Sequence, residues 1–186
     1  MLSNRKVLKG KWVLIVKQDK CSKLTRFKVR YVLCGYEQIL GHDYHQTTSP
    51  TAQMEFFHLL LHITTLLDWD LKQFNVKQAF LNGVLDPDEV QFMAQPEGFK
   101  AEGKEDYVWR VEKGIYGMHQ ASRIWNKMMH AKMIAWGFMR LECKYCVYVR
   151  FSGGSMVLVT VHMDDYLSVA NSKEANDEFK AQLELE

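Results

Sequence analysis

No apolar run in the sequence approaches the roughly 20 residues that a membrane-spanning helix needs. The N-terminal Met1-Leu2-Ser3-Asn4-Arg5-Lys6 is basic, but the following Trp12–Val16 run is too brief for the apolar centre of a secretory signal. The expectation is an intracellular chain, cytoplasmic or nuclear. Cysteine is scarce, with four residues in 186. Only Cys143 and Cys146 have C-x-x-C spacing, while Cys21 and Cys34 lie apart without a matching half-site. A zinc site wants two such half-sites or nearby histidines, so buried reduced thiols are expected. Proline is scarcer still, and all three prolines (Pro50, Pro87, Pro96) sit in loop-like stretches. Repeats and low-complexity segments are absent. A hydrophobic share of 47% and a charged share of 25% are those of an ordinary globular chain, long enough for one domain or two small lobes.

The modest net charge of +2 conceals an asymmetry. Residues 1–30 hold ten Lys/Arg against one acid, Asp19, a local balance of +9 that leaves −7 for the remaining 156 residues. A basic lobe beside an acidic body fits a polyanion held on one side and cations on the other. A solvated basic hairpin with no partner fits the charge equally well.

Lys11–Lys17 and Leu24–Leu33 read as strands joined by a turn at 19–22. In Arg26-Phe-Lys-Val-Arg-Tyr-Val32 basic and apolar residues alternate, the mark of a half-exposed strand with one basic face. Met54–Leu67 is apolar almost all round and predicts a buried helix. Asp70–Val76 and Tyr107–Glu112 read as strands. Ala121–Trp136 carries Trp125, Met128, Met129, Met133 and Trp136 at helical spacing and is stopped by Gly137. Tyr145–Arg150 and Met156–His162 predict a hairpin, followed by the apolar run Tyr166–Ala170. Asn171 with Glu174 three residues on has the form of a capping box opening a last helix.

Asp164 and Asp165 stand between two apolar strands, at a predicted hairpin tip. Adjacent carboxylates there repel each other unless a cation compensates. Mg²⁺ suits carboxylates combined with substrate phosphates, and two such ions can flank an in-line displacement at phosphorus. Asp-Asp is nevertheless a common dipeptide, and alone it reads as a solvated turn. His58 and His62 are spaced i, i+4, but without the glutamate of an H-E-x-x-H motif they read as ordinary histidines.

Six segments occur in an order and spacing that together resemble the copia-type retrotransposon reverse transcriptases. They are Arg26-Phe-Lys-Val-Arg-Tyr-Val-Leu-Cys-Gly-Tyr36, Asp43-Tyr-His-Gln-Thr-Thr-Ser-Pro50, Asn75-Val-Lys-Gln-Ala-Phe-Leu-Asn-Gly83, Gln95-Pro-Glu-Gly-Phe99, Gly117-Met-His-Gln-Ala-Ser-Arg-Ile-Trp125 and Val161-His-Met-Asp-Asp165. The resemblance runs from about Trp12 onward. It implies an α+β fold, α/β in two layers: the fingers and partial palm of a right-hand polymerase, with an antiparallel palm sheet packed on helices and no thumb. Residues 1–50 would be the basic fingers hairpin and its connecting loop, and 51–186 the palm with inserted fingers elements. The activity implied is RNA-directed DNA polymerisation on a primer–template with dNTPs, using two Mg²⁺ ions. Asp164 and Asp165 would be the paired metal ligands. Lys28 and Arg30 would hold nucleotide phosphates, Phe80 would exclude a ribose 2′-hydroxyl, and Gln120 would lie near the nucleotide sugar.

The chain departs from this pattern at Asn75, where the family has the first catalytic aspartate. Asp70 is five strand positions away, about 17 Å at roughly 3.3 Å per residue, and cannot substitute. His162 stands where an aromatic is commoner. The family's remaining palm, thumb, RNase H and integrase do not follow Glu186, so a truncated copy is expected, with self-association through an exposed palm. The reading is a reverse-transcriptase domain that is catalytically impaired. The alternatives are a non-catalytic relic that binds nucleic acid, and a decayed fragment with no retained activity.

Overall fold

The computed structural model describes residues 5–184. In chain order the elements are β1 (Val7–Leu8), β2 (Gly10–Gln18), β3 (Leu24–Leu33), α1 (Met54–Leu67), β4 (Asp70–Asn75), β5 (Gln91–Ala94) and β6 (Val108–Val111). Then come α2 (Ala121–Ala135), β7 (Met139–Leu141), β8 (Lys144–Ser152), β9 (Ser155–His162), β10 (Asp165–Ala170) and α3 (Lys173–Glu184). The fold is mixed α+β. It divides into two compact units: the chain up to Thr48 with Phe80–Ile124, and Ser49–Ala79 with the chain from Trp125 onward.

In the first unit, β2 and β3 pair antiparallel as a long ribbon, and β1, β5 and β6 form a separate three-stranded sheet. Asp19 makes the ribbon's turn, its Oδ1 accepting the N–H groups of Cys21 and Lys23 at 2.8 and 2.9 Å. Alternation places Lys11, Lys17, Arg26, Lys28 and Arg30 on one face, with Val13 opposite Arg30 and Ile15 opposite Lys28. The basic face is as expected. The other face is apolar and also open to solvent along its outer half, with Leu14 73% and Phe27 70% exposed. At the base of the ribbon, Leu33 joins Leu8, Met93, Val111, Met118 and Ile124 in the unit's core. Gly117 permits the close approach there. It has φ +93°, and a Cβ would lie 2.1 Å from the Leu33 carbonyl oxygen.

In the second unit, five strands form one antiparallel sheet in the order β4-β10-β9-β8-β7. Leu60 of α1 packs on Leu167 and Val169 of β10, with Phe56, Phe57, Leu71 and Leu158 around them. Alternate residues of the sheet meet α3, where Phe74 lies against Phe179 and Ser168 bonds Asn176. Asn176 Nδ2 in turn donates to Asp70 Oδ2 at 2.7 Å.

Several sequence expectations need correction. The helix at 54–67 has the expected bounds, yet only Leu60 is buried, and Leu66 is 83% exposed. Its apolar surface exceeds the single stripe the sheet covers, because an all-apolar helix gives no periodic signal of which face is in contact. Cys34 and Cys146 are buried free thiols, but Cys21 and Cys143 are exposed. Both exposed ones fall in turns, which carry no core side. The last helix is capped by Ser172, whose Oγ accepts the Ala175 N–H at 3.1 Å. Asn171 serves the β8–β9 turn instead, accepting from the Met156 N–H and donating to Gly154 O. No helix of the described residues is long and apolar enough to cross a membrane.

Candidate active site

The sheet register brings the two sequence-distant parts of the candidate site together. β10 pairs with β4 so that Asp165 lies opposite Asn75, and with β9 so that Asp165 also lies opposite His162. The Asn75 side-chain N–H donates to Asp165 Oδ1 at 3.0 Å. The backbone is tied as well, with the Val76 N–H donating to the Asp164 carbonyl at 2.8 Å. The connection between β9 and β10 is just Met163-Asp164, so Asp165 opens the strand and is not part of the tip. Asp70, at the far end of β4, is engaged with Asn176 and Lys72 and offers nothing to this end.

The turn has an unusual backbone. Met163 adopts φ +58° while Asp164 does not share a positive φ, the pattern of a type II′ hairpin turn whose first position favours glycine. A non-glycine residue held there costs roughly 1–2 kcal/mol. One holding contact is the indole N–H of Trp125, which donates to the Met163 carbonyl at 2.8 Å. His162, the family departure, has its Nδ1 3.3 Å from the Ala52 carbonyl and packs its ring near Phe57. It braces the segment entering α1.

Both aspartates are half-buried, and among the described residues neither enters an ion pair. Directly behind the tip lies Tyr166, 1% exposed. Burial, then the neighbouring Tyr148 and the Asp164 charge, push its phenol far above the ordinary range. Its hydroxyl is buried and meets no hydrogen-bond partner among the described residues. Tyr166→Phe is therefore expected to leave thermal stability unchanged or raise it by up to about 1 kcal/mol. A loss above that in chemical denaturation would reveal a hidden partner for the hydroxyl.

The donor set decides what this end of the sheet can hold. Two adjacent carboxylates without an ion-pair partner among the described residues suit one hard divalent ion, with water completing its shell. Asn75 presents an amide where a third anion would extend the set. Among the described residues no group of three or more His, Cys, Asp or Glu side chains gathers to hold a metal. The residues fit one ion and lack the charge for a two-ion clamp.

In the first unit, Lys28 and Arg30 are half-buried on the basic face of β3. The Arg30 guanidinium lies over the Tyr116 ring, 4.5 Å from its centroid, and Tyr116 meets Phe80 edge-on at 5.2 Å. Phe80 thus packs against the core and also continues an Arg–Tyr–Phe stack. Gln120 has no exposed surface. Its carbonyl accepts from Gln38 at 3.0 Å, and its amide N–H groups reach Asp43 O and Glu89 Oε2. The side-chain amide is committed to a buried network with Gln38 and Gln91, while the backbone carbonyl accepts the Ile124 N–H at the start of α2. Trp125 and that glutamine network were not singled out in the sequence as parts of a site. Trp125 and Gln120 lie inside a motif, but Met163 is 38 residues from the first, and Gln38 and Gln91 lie outside every motif.

The family model for reverse transcriptase (RNA-dependent DNA polymerase) matches residues 1–186, and the chain belongs to that family. Similar proteins include retrovirus-related Pol polyproteins of plant transposons. It is 36% identical over 170 residues to the retrovirus-related Pol polyprotein from transposon TNT 1-94 of Nicotiana tabacum, covering 91% of this chain and 13% of that protein. It is 34% identical over 161 residues to the retrovirus-related Pol polyprotein from transposon RE2 of Arabidopsis thaliana, covering 87% of this chain and 11% of that protein. The chain thus spans little more than a tenth of the length of these relatives.

Proposed function

We propose that this chain is the polymerase domain of a copia-type element, with the five-stranded unit as its palm and the basic ribbon as part of its fingers. Asp164 and Asp165 hold one divalent ion, and nucleotidyl transfer is severely weakened by Asn75. The observation that carries this reading is the register placing Asp165 opposite Asn75, which supports a carboxylate site built from two strands. Bound there, Mg²⁺ would neutralise phosphate charge. The chain's own part is to orient the two carboxylates on a fixed turn and to present Lys28 and Arg30 for charge-assisted bonds to phosphate. Phe80 is the proposed 2′-hydroxyl gate, held by Tyr116. Gln120 is reassigned to bracing the unit from within.

Extension of a DNA primer on an RNA template, with Mg²⁺ or Mn²⁺, tests the proposal. Extension barely above background is expected from the chain as it stands. Robust extension would refute the weakening assigned to Asn75.

A non-catalytic role in holding nucleic acid is favoured by one feature, the five Lys/Arg on one face of the ribbon. If these meet phosphates, the logarithm of the association constant for a primer–template should fall against log salt with a slope of about −4 to −5. Reversing two of the charges (Lys28→Glu with Arg30→Glu) should flatten that slope. A wild-type affinity indifferent to salt would remove the ribbon from nucleic-acid binding.

A further inference from the structure

The turn that carries Asp164 and leads into Asp165 is held in a backbone conformation that methionine resists, and the contact that holds it comes from a different motif. Trp125 is 3% exposed, so its indole N–H is aimed by packing. It donates to the carbonyl of Met163, the residue at φ +58°. The next carbonyl, that of Asp164, accepts from the Val76 N–H beside Asn75. Two consecutive carbonyls are therefore held, one by a side chain of α2 and one by the backbone just past β4. The rotation of the Asp164 peptide, and with it the directions of both carboxylates, depends on that clamp.

We propose that Trp125 is a positioning residue for the Met163–Asp164 turn, holding Met163 at its positive φ and with it the orientation of the Asp164 and Asp165 carboxylates. The inference rests on the divalent-ion reading of the aspartates. It is distinct from that reading in what it demands of residues 125 and 163. Trp125→Phe keeps a ring in the core and removes only the donor. Met163→Gly removes the backbone penalty that the donor offsets. The two changes should therefore compensate, which a general loss of packing would not do.

The test uses the full chain with Mn²⁺ as the probe, followed by water-proton relaxation, together with hydrogen exchange of the Val76 amide in metal-free protein. Trp125→Phe is expected to weaken Mn²⁺ binding about fivefold to tenfold, the effect of one lost buried hydrogen bond. It should also speed Val76 exchange by a similar factor. Met163→Gly alone should change either quantity by less than about twofold, and the double variant should return both close to wild type. A double variant as impaired as Trp125→Phe alone would overturn the proposal, as would Trp125→Phe with wild-type exchange. If the wild-type chain takes up no Mn²⁺, the metal reading falls, and the exchange data alone then decide whether Trp125 holds the turn.

Discussion

Asn75→Asp is expected to raise the rate of primer extension by about a thousandfold over the chain as it stands. A unit charge facing another at 4 Å is worth about 4 kcal/mol at an effective dielectric of 20, and a divalent ion roughly doubles that gross figure. Solvent and the remaining ligands recover much of it. A net 4 kcal/mol at 1.36 kcal/mol per tenfold gives the thousandfold. The site is ready for the change, since residue 75 already contacts Asp165 from the adjacent strand and the two side chains have nearly the same shape. Single-turnover extension with each protein, at equal primer–template occupancy, is the measurement. Equal rates would mean that the lost charge is not what limits extension by this chain.

The largest stability effect is expected at Phe179. This ring is fully buried on α3, with Phe138 at 5.2 Å, Phe74 at 5.8 Å and Trp136 at 6.3 Å. It joins the helix to both the sheet and the segment after α2. Phe179→Ala is expected to cost about 3–5 kcal/mol, by loss of transfer energy and the cavity left among three rings. That is a large share of the total stability of a domain of this size. Phe179→Leu refills most of the space and should retain more than half of it. Urea unfolding midpoints for the three proteins decide the matter, and a cost below about 1 kcal/mol for alanine would contradict this packing.

The pattern of alternation made the ribbon and the central hairpin readable, because side chains of period two have one physical explanation in a sheet. The bounds of α1 were readable for a similar reason, since Asp68, at φ +52°, stops the run. Its contact face was not, because a helix apolar on every side encodes no direction. At the start of α3, Asn171 and Ser172 both have cap chemistry, and tertiary demand from the β8–β9 turn took the first of them. The resemblance implies fingers elements inserted within residues 51–186, without marking their bounds. In space Phe80–Ile124 clusters with the N-terminal segment. Nothing local in a sequence marks such a return of the chain.

The candidate site was legible in its charged residues and not in their supports. Asp164 and Asp165 announce themselves by type and setting, and Lys28 and Arg30 by alternation. Gln120 was legible as a motif residue, but its burial came from partners 82 and 77 positions earlier in the chain, Gln38 and Asp43. Trp125 read as one of a stripe of core residues, which it is. What the stripe hides is that an indole has a polar edge, and that this edge meets a strained turn.

The bond from Asn75 to Asp165 has a bearing on how such a protein persists. An intact trio of acids at this strand end would repel one another whenever no cation was present, so the apo form would be handicapped by its own chemistry. The amide removes one of the three charges and offers its hydrogen to a second. On the proposed reading, weakening the catalyst and relaxing the empty fold are the same atomic change, and selection for mere foldedness would retain it without any demand for turnover.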